Sequence, residues 1–266
     1  MPEETEIKNK MNGIANLFSL EGRTVLVTGA SSGIGLHAAH LFAAAGASVA
    51  LAARRIDRLE DAVKAIRKTG RQAAAFKLDV TRTDTISQLF DAVQETFATD
   101  PDVLLNNAGV MVAERFLAIT EGQIDEVFDT NLKGAFLVAQ EGARRMAVMK
   151  RGSIINVAST SALRAGAFMS SYAASKAGLV HGTRVMALEL AGKGIRVNVL
   201  CPGNIETDMQ AALAQFEEAM IRRTPMRRFG KPEDLDGALL LMASEAGRYI
   251  TGAVITVDGG QTLSWM

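Results

Sequence analysis

The chain has 266 residues, 48% of them hydrophobic, which is enough for one large α/β domain with a sizeable core. Lys and Arg (29) balance Asp and Glu (29), so no overall field draws the molecule to nucleic acid or to an anionic membrane. A lone cysteine, Cys201, excludes an internal disulfide and a zinc-type cluster and fits a reducing compartment.

From the amino end, Met1 to Lys10 is polar and mixed in charge, without the apolar core of a secretory signal, so the expected location is cytoplasmic. Residues 1–17 carry little apolar periodicity and read as a mobile arm before a single domain over 18–266. Short apolar, β-branched runs then alternate with helical patterns. The strands are expected at Thr24–Thr28, Ser48–Ala53, Ala73–Leu78, Val103–Asn106, Ser153–Ala158, Arg196–Leu200 and Val254–Val257. Between them, helices are expected at Leu36–Ala45, Arg58–Lys68, Thr83–Phe97, Glu121–Met149, Tyr172–Ala191, Asp208–Arg223 and Pro232–Ala243. The most apolar stretch, Leu36 to Ala53, is broken by His37, His40, Gly46 and Ser48 and reads as helix, turn and strand, not as a membrane span. Strand–helix alternation predicts βαβ units: a doubly wound, mostly parallel seven-stranded sheet with helices on both faces.

Two patterns carry chemistry. Thr28-Gly29-Ala30-Ser31-Ser32-Gly33-Ile34-Gly35 follows the first strand and opens the first helix. Its glycines allow a tight turn and let backbone amides approach a pyrophosphate at a helix N-terminus. Farther on, Tyr172 and Lys176 stand at i and i+4 and so share a helix face. A neighbouring ammonium favours the phenolate, which makes the tyrosine a candidate proton donor and acceptor.

The glycine spacing is G-x-x-x-G-x-G. Together with Asn106-Asn107-Ala108-Gly109, Asn131, Ser159, Tyr172-x-x-x-Lys176, Pro202-Gly203 and Asp258-Gly259-Gly260, in that order, it resembles the short-chain dehydrogenase/reductases from about Leu20 to Gly260. The resemblance implies a Rossmann-type fold and an oxidoreductase moving a hydride between a nicotinamide cofactor and a ketone or secondary alcohol. It also implies a catalytic tetrad of Asn131, Ser159, Tyr172 and Lys176, with Ser159 thirteen residues before the tyrosine. Tyr172 would be general acid or base, Lys176 would lower its pKa and hold the nicotinamide ribose, Ser159 would bond the substrate oxygen, and Asn131 would hold a water. Ser161 rivals Ser159, and lines the pocket or solvates a turn.

The cofactor would rest on Gly29, Ser31, Ser32, Gly33, Ile34 and Gly35, with Asp79 and Val80 flanking the adenine. Asn106, Ala108 and Gly109 would lie beneath it, and Pro202, Gly203, Ile205 and Thr207 over the nicotinamide. At the end of the second strand, Ala52-Ala53-Arg54-Arg55 offers arginines and no acid before Asp57. That favours the 2′-phosphate of NADP(H) over NAD(H), with Arg54 the first candidate and Arg55 behind it.

Substrate would approach over Val110–Phe116, Ala162–Met169 and Met209–Met226, meeting Met111, Leu163, Phe168, Met169, Met209 and Leu213. These side chains form an accommodating apolar lip or pack the lid. The broad resemblance spans 3-oxoacyl thioester reductases, sugar or polyol dehydrogenases and NAD-dependent hydroxysteroid-type enzymes. A dinucleotide-sensing protein without turnover is the low-weight alternative, since such proteins lose the tyrosine or lysine. Arg222, Arg223, Arg227 and Arg228 cluster, with Arg227 standing where relatives usually have glycine. The cluster would face an acidic partner or an anionic substrate, or form a solvated or subunit-contact face. Cys201 reads as a buried bystander, and His37, His40 and His181 share no metal motif. The long fourth and fifth helices would pack against a symmetry mate in a homotetramer or homodimer, with Trp265 near the interface.

Overall fold

The computed structural model describes residues 13, 15–208 and 215–263. Seven parallel strands form one sheet: β1 (Thr24–Thr28), β2 (Ser48–Ala53), β3 (Ala73–Lys77), β4 (Val103–Asn106), β5 (Gly152–Val157), β6 (Ile195–Pro202) and β7 (Val254–Val257). Their order is β3-β2-β1-β4-β5-β6-β7. Every strand predicted from sequence is present, displaced by at most two residues at either end.

Each strand serves two cores, because alternate side chains point to opposite faces. Val25, Val27, Val49, Leu51, Val103 and Leu105 join one buried cluster. Leu26, Ala50, Ala52 and Leu104, their chain neighbours, join the other. Helices α1 (Gly33–Ala44) and α2 (Ile56–Lys68) cover the first cluster, and α3 (Thr83–Phe97) covers the second. In α2 the buried residues are Leu59, Ala62, Val63 and Ile66, and in α3 Ile86, Leu89, Phe90 and Val93. Both sets follow the i, i+3, i+4, i+7 spacing of a helix that buries one stripe. Phe42 and Phe90 anchor the two cores with no exposure, and truncating either to alanine would cost about 3–5 kcal/mol.

One expectation is corrected. Glu121–Met149 is not a single α-helix: α4 (Glu121–Phe128) passes through a wider π-helical segment, Asp129–Gly134, into α5 (Ala135–Met149). Asp129, Thr130 and Asn131 are mediocre helix formers, and one widened turn at such a point re-aims the side chains within it. Next come α6 (Ser170–Leu190), the short α7 (Glu217–Arg223) and α8 (Asp236–Ala243). The expected helix from Pro232 opens as a 3-10 turn, Pro232–Leu235, before α8. The expected helix from Asp208 is α-helical only over α7, and 209–214, with Met209 and Leu213, lie outside the described residues. So do most of the predicted arm, residues 1–12 and 14, and Trp265, whereas Gly13 and 15–17 are helical.

From β1 the chain winds outward to β3, then returns to lay β4 on the other side of β1. The helices that follow β1 and β4 therefore pack on opposite faces of the sheet, which leaves a crevice at the carboxyl ends of these strands, the usual ligand position in an open parallel sheet.

Candidate active site

At the head of that crevice, Gly29 (φ +67°) and Gly33 (φ +53°) adopt left-handed backbone. A Cβ on Gly29 would fall 2.8 Å from Ala108 Cα, so only glycine lets the loops after β1 and β4 touch. Asn107 stitches them, its side-chain amide donating to the carbonyls of Thr28 (3.1 Å) and Gly29 (3.3 Å). The Thr28 hydroxyl accepts from the amides of Asn107 (3.0 Å) and Ala108 (3.1 Å). Neither Thr28 nor Asn107 was assigned a role from sequence, although both lie within the quoted motifs. Asn106, directed inward, donates to Ala135 O (2.7 Å) and Asn156 Oδ1 (3.1 Å), which braces β4 beneath the crevice.

The donor set suits a dinucleotide pyrophosphate. Ser32 caps α1 without a side-chain bond, and the first turn holds no acidic residue, so the positive helix end is left for an outside anion. Above it, the Thr207 methyl would lie 3.2 Å from a Cβ on Gly33, which brings the segment after β6 against the glycine loop. That segment is fixed by a parallel bridge from Ile205 to Gly230, made by Asn204 O and Glu206 N on either side of Ile205. Gly203 lies so close to Asp258 that a Cβ there would stand 2.8 Å from the Asp258 Cα.

The two arginines after β2 part company. Arg55 donates to Ser31 Oγ (3.0 Å) and Ser32 Oγ (3.3 Å) of the glycine loop. Arg54 faces Asp79 electrostatically. Slight burial pushes the Asp79 carboxyl up, but bonds from the Thr81 hydroxyl and amide, aided by Arg54 and Arg82, hold it below its usual range. Val80 is buried beside Asp79, against Gly134 of the π-helical segment.

At the reacting end, β5 and α6 bring the expected residues together. Ser159, just past β5, caps a 3-10 turn and accepts from the Ser161 amide (3.1 Å), while its hydroxyl donates to Ser161 Oγ (3.2 Å). Ser161 therefore orients Ser159. Tyr172 and Lys176, from the first turns of α6, are almost wholly buried, with Lys176 Nζ 5.8 Å from the Tyr172 ring centre. The ammonium donates to Val157 O (2.9 Å). Asn131 clasps the main chain of Val110, accepting from its amide and donating to its carbonyl, each at 2.8 Å. Gly109 lies between them: a Cβ there would stand 3.2 Å from Asn131 Oδ1 and 3.5 Å from Lys176 Nζ.

Burial dominates the proton chemistry of this cluster. It pushes the Tyr172 phenol above its ordinary value, with the Ser159 hydrogen bond pulling back. Burial also lowers the Lys176 ammonium to about 8. Cys201, buried beneath them, is raised to about 11 by burial and so is held as the thiol at neutral pH. At neutral pH, then, the tyrosine carries its proton and the lysine its charge. On the lip, Met111, Ser161 and Met169 are half-buried and Leu163 is exposed.

A cavity of about 550 Å³ lies at the opposite end of the sheet, lined by Arg23, Asp102, Arg151, Arg196 and Glu245 among others. Its charged groups are occupied with one another and with main-chain carbonyls, and it holds none of the candidate catalytic residues. Among the described residues no group of three His, Cys, Asp or Glu is placed to hold a metal, and no helix is long and apolar enough to cross a membrane.

The family model described as "Enoyl-(Acyl carrier protein) reductase" matches residues 29–262. The 3-oxoacyl-[acyl-carrier-protein] reductase FabG of Thermotoga maritima is 39% identical over 91% of this chain and 98% of its own length. The L-rhamnose 1-dehydrogenase (NAD(P)(+)) of a Sphingomonas species is likewise 39% identical, over 91% of this chain and 96% of its own. A crystal structure of gluconate 5-dehydrogenase from Burkholderia cenocepacia, in complex with NADP and tartrate, superposes with a TM-score of 0.91 at 32% identity, covering 94% and 99% of the two chains.

Proposed function

The chain belongs to the short-chain dehydrogenase/reductases and is an NAD(P)-dependent oxidoreductase, and from that premise we propose that it is a cytoplasmic, NADP(H)-preferring reductase of ketones to secondary alcohols. The observation that carries this reading is the cluster of buried Tyr172 and Lys176 with half-buried Ser159 at the end of the crevice. Bound nicotinamide dinucleotide supplies the hydride, or accepts it in the reverse direction. Tyr172, kept protonated by burial, donates its proton to the carbonyl oxygen as negative charge grows there. Ser159, held by the Ser161 amide, turns its one hydroxyl proton from Ser161 Oγ to the same oxygen. Lys176 holds its positive charge next to the phenol, which steadies the phenolate left behind. Asn131 fixes the main chain at Val110 and borders the gap at Gly109 through which a water would link Lys176 to solvent.

Three features support the preference for NADP(H): no acid at the end of β2, two arginines there, and the bonds from Arg55 to the loop serines. A 2′-phosphate beside Ser31 would exchange those neutral acceptors for a charged one. Arg55 is therefore the first candidate reader, ahead of Arg54, which faces Asp79. The substrate class proposed is a 3-oxoacyl thioester or a sugar-type ketone, as the names of the two relatives suggest. Exposed Val148 on α5, with Val185 and Leu188 on α6, favours assembly into a homodimer or homotetramer.

The test is NADPH and NADH consumption against 3-oxoacyl thioesters, ketoses and cyclic ketones. Arg55→Asp should shift the NADPH-to-NADH ratio of kcat/KM by about 10- to 100-fold, the worth of one charge-assisted hydrogen bond, and Arg54→Asp by less. Ratios unmoved by both substitutions would remove the arginines from cofactor choice.

A further inference from the structure

We infer that Phe168 is a positioning residue that latches helix α7 to the rim of the site through a stacked contact with Phe216; the role at the rim rests on the function proposed above. Phe168 lies on the loop joining Ser159 to Tyr172, four residues before the tyrosine. Its φ is +67°, in the left-handed region, where a bulky side chain is a rare outlier. Strain of this kind persists only when neighbours hold it, and it collects at clamps and switches.

Three contacts hold it. The Glu114 amide donates to the Phe168 carbonyl (2.8 Å), and Glu114 pairs with Met169 in an isolated parallel bridge, which ties the two loops of the rim together. Arg115 lies over the Phe168 ring at 6.0 Å. The opposite partner is Phe216, the N-cap residue of α7, with ring centres 5.7 Å apart and planes inclined by 16°.

The remaining attachment of α7 is thin. None of its seven residues is fully buried, so packing alone holds it weakly. Past its other end, Arg227 is a second bulky residue in the left-handed region (φ +56°), and its guanidinium donates to the Arg222 carbonyl. The strained Phe168 thus fastens the amino end of a helix that has little core of its own, while buried Thr224 and the Met226 amide on Gly259 O (3.1 Å) hold the chain past its carboxyl end. In relaxed backbone, the ring of residue 168 would leave its position on Phe216 and α7 would lose that tether.

Amide hydrogen exchange across 215–224 of the free enzyme tests the latch without reference to catalysis. Phe168→Gly relieves the strain and deletes the ring, and Phe216→Ala deletes only the partner ring. Each should speed exchange there by about three- to tenfold, the equilibrium worth of an aromatic pair, with the strands unchanged. The double variant should match either single variant, because both remove one shared contact. With a carbonyl that is turned over, KM should rise by a similar factor at unchanged kcat, since the tetrad is untouched. Unchanged exchange in α7, additive effects in the double variant, or a fall in kcat at constant KM would each overturn the latch. Failure to turn over any carbonyl would count against the proposed function, while exchange would still judge the latch.

Discussion

The two ends of the sheet are built from the same strands and solve opposite problems. At the amino ends of β1, β4 and β5, charge is matched: buried Asp102 accepts from the Thr24 amide (3.0 Å), Arg23 (3.3 Å) and Arg151 (2.8 Å). Arg196, at the start of β6, spends its donors on the carbonyls of Met242 and Ser244. At the carboxyl ends, a buried ammonium, Lys176, has a neutral carbonyl as its partner and a raised phenol for a neighbour. The amino end uses charge to join elements that are distant in sequence. The carboxyl end keeps its charge under-compensated, which costs stability and leaves the groups able to exchange protons.

Tyr172→Phe should break the carboxyl end functionally and leave the fold alone. Removing the general acid should lower kcat by about 10²- to 10⁴-fold, while NADPH binding, measured by fluorescence titration, stays within a few-fold. Retained turnover would pass the proton to another group. Asp102→Ala should do the converse. It strands the Arg151 guanidinium and a strand amide and leaves Arg23 with Glu245 alone, at a cost of about 3 kcal/mol in urea unfolding, the lower part of the range for a broken buried pair because Arg151 is half exposed. Its kcat, measured well below the melting temperature, should match the parent. Lost activity in a folded protein would mean that the two ends are coupled.

The sequence foretold the two ends unequally. Strands apolar at nearly every position matched β1, β2 and β4 to the residue, because burial on both faces leaves a near-continuous signal. Ser159, Tyr172, Lys176 and the glycine loop could be named from sequence because short motifs in a fixed order carry the family resemblance, and they gather at the carboxyl end of the sheet. The π-helical segment at Asn131 was not, since a widened turn pays for itself in contacts with Val110 that are distant in sequence. For the same reason Asn107 went unassigned: its worth lies in two carbonyls of another loop. The ordering of Arg54 and Arg55 depended on side-chain direction, which adjacent residues in a sequence do not reveal. Asp102 at the amino end drew no reading from sequence, because Arg23 and Arg151, which close on it, are distant along the chain.

The smallest effect is also the most direct measure of the uncompensated charge at Lys176. Burial takes this ammonium from an ordinary value of 10.5 down to about 8 in the folded protein. Between pH 8 and 9 the unfolded chain keeps a proton that the native state has released, so native stability must rise with pH. Above about pH 9 Cys201 opposes this, because the unfolded thiol ionises from 9.0 while the native thiol, raised to about 11, stays protonated. The clean window is therefore pH 7 to 9, with Lys176→Met as the reference that lacks the titrating group. From urea unfolding at pH 7, 8 and 9, the parent should gain about 1 kcal/mol on the variant across the window. A gap that stays constant would mean that Lys176 remains charged throughout and that its burial is better compensated than one carbonyl allows. A gap that narrows as predicted would set the carboxyl end apart from the amino end as the place where the fold holds a charge at a cost.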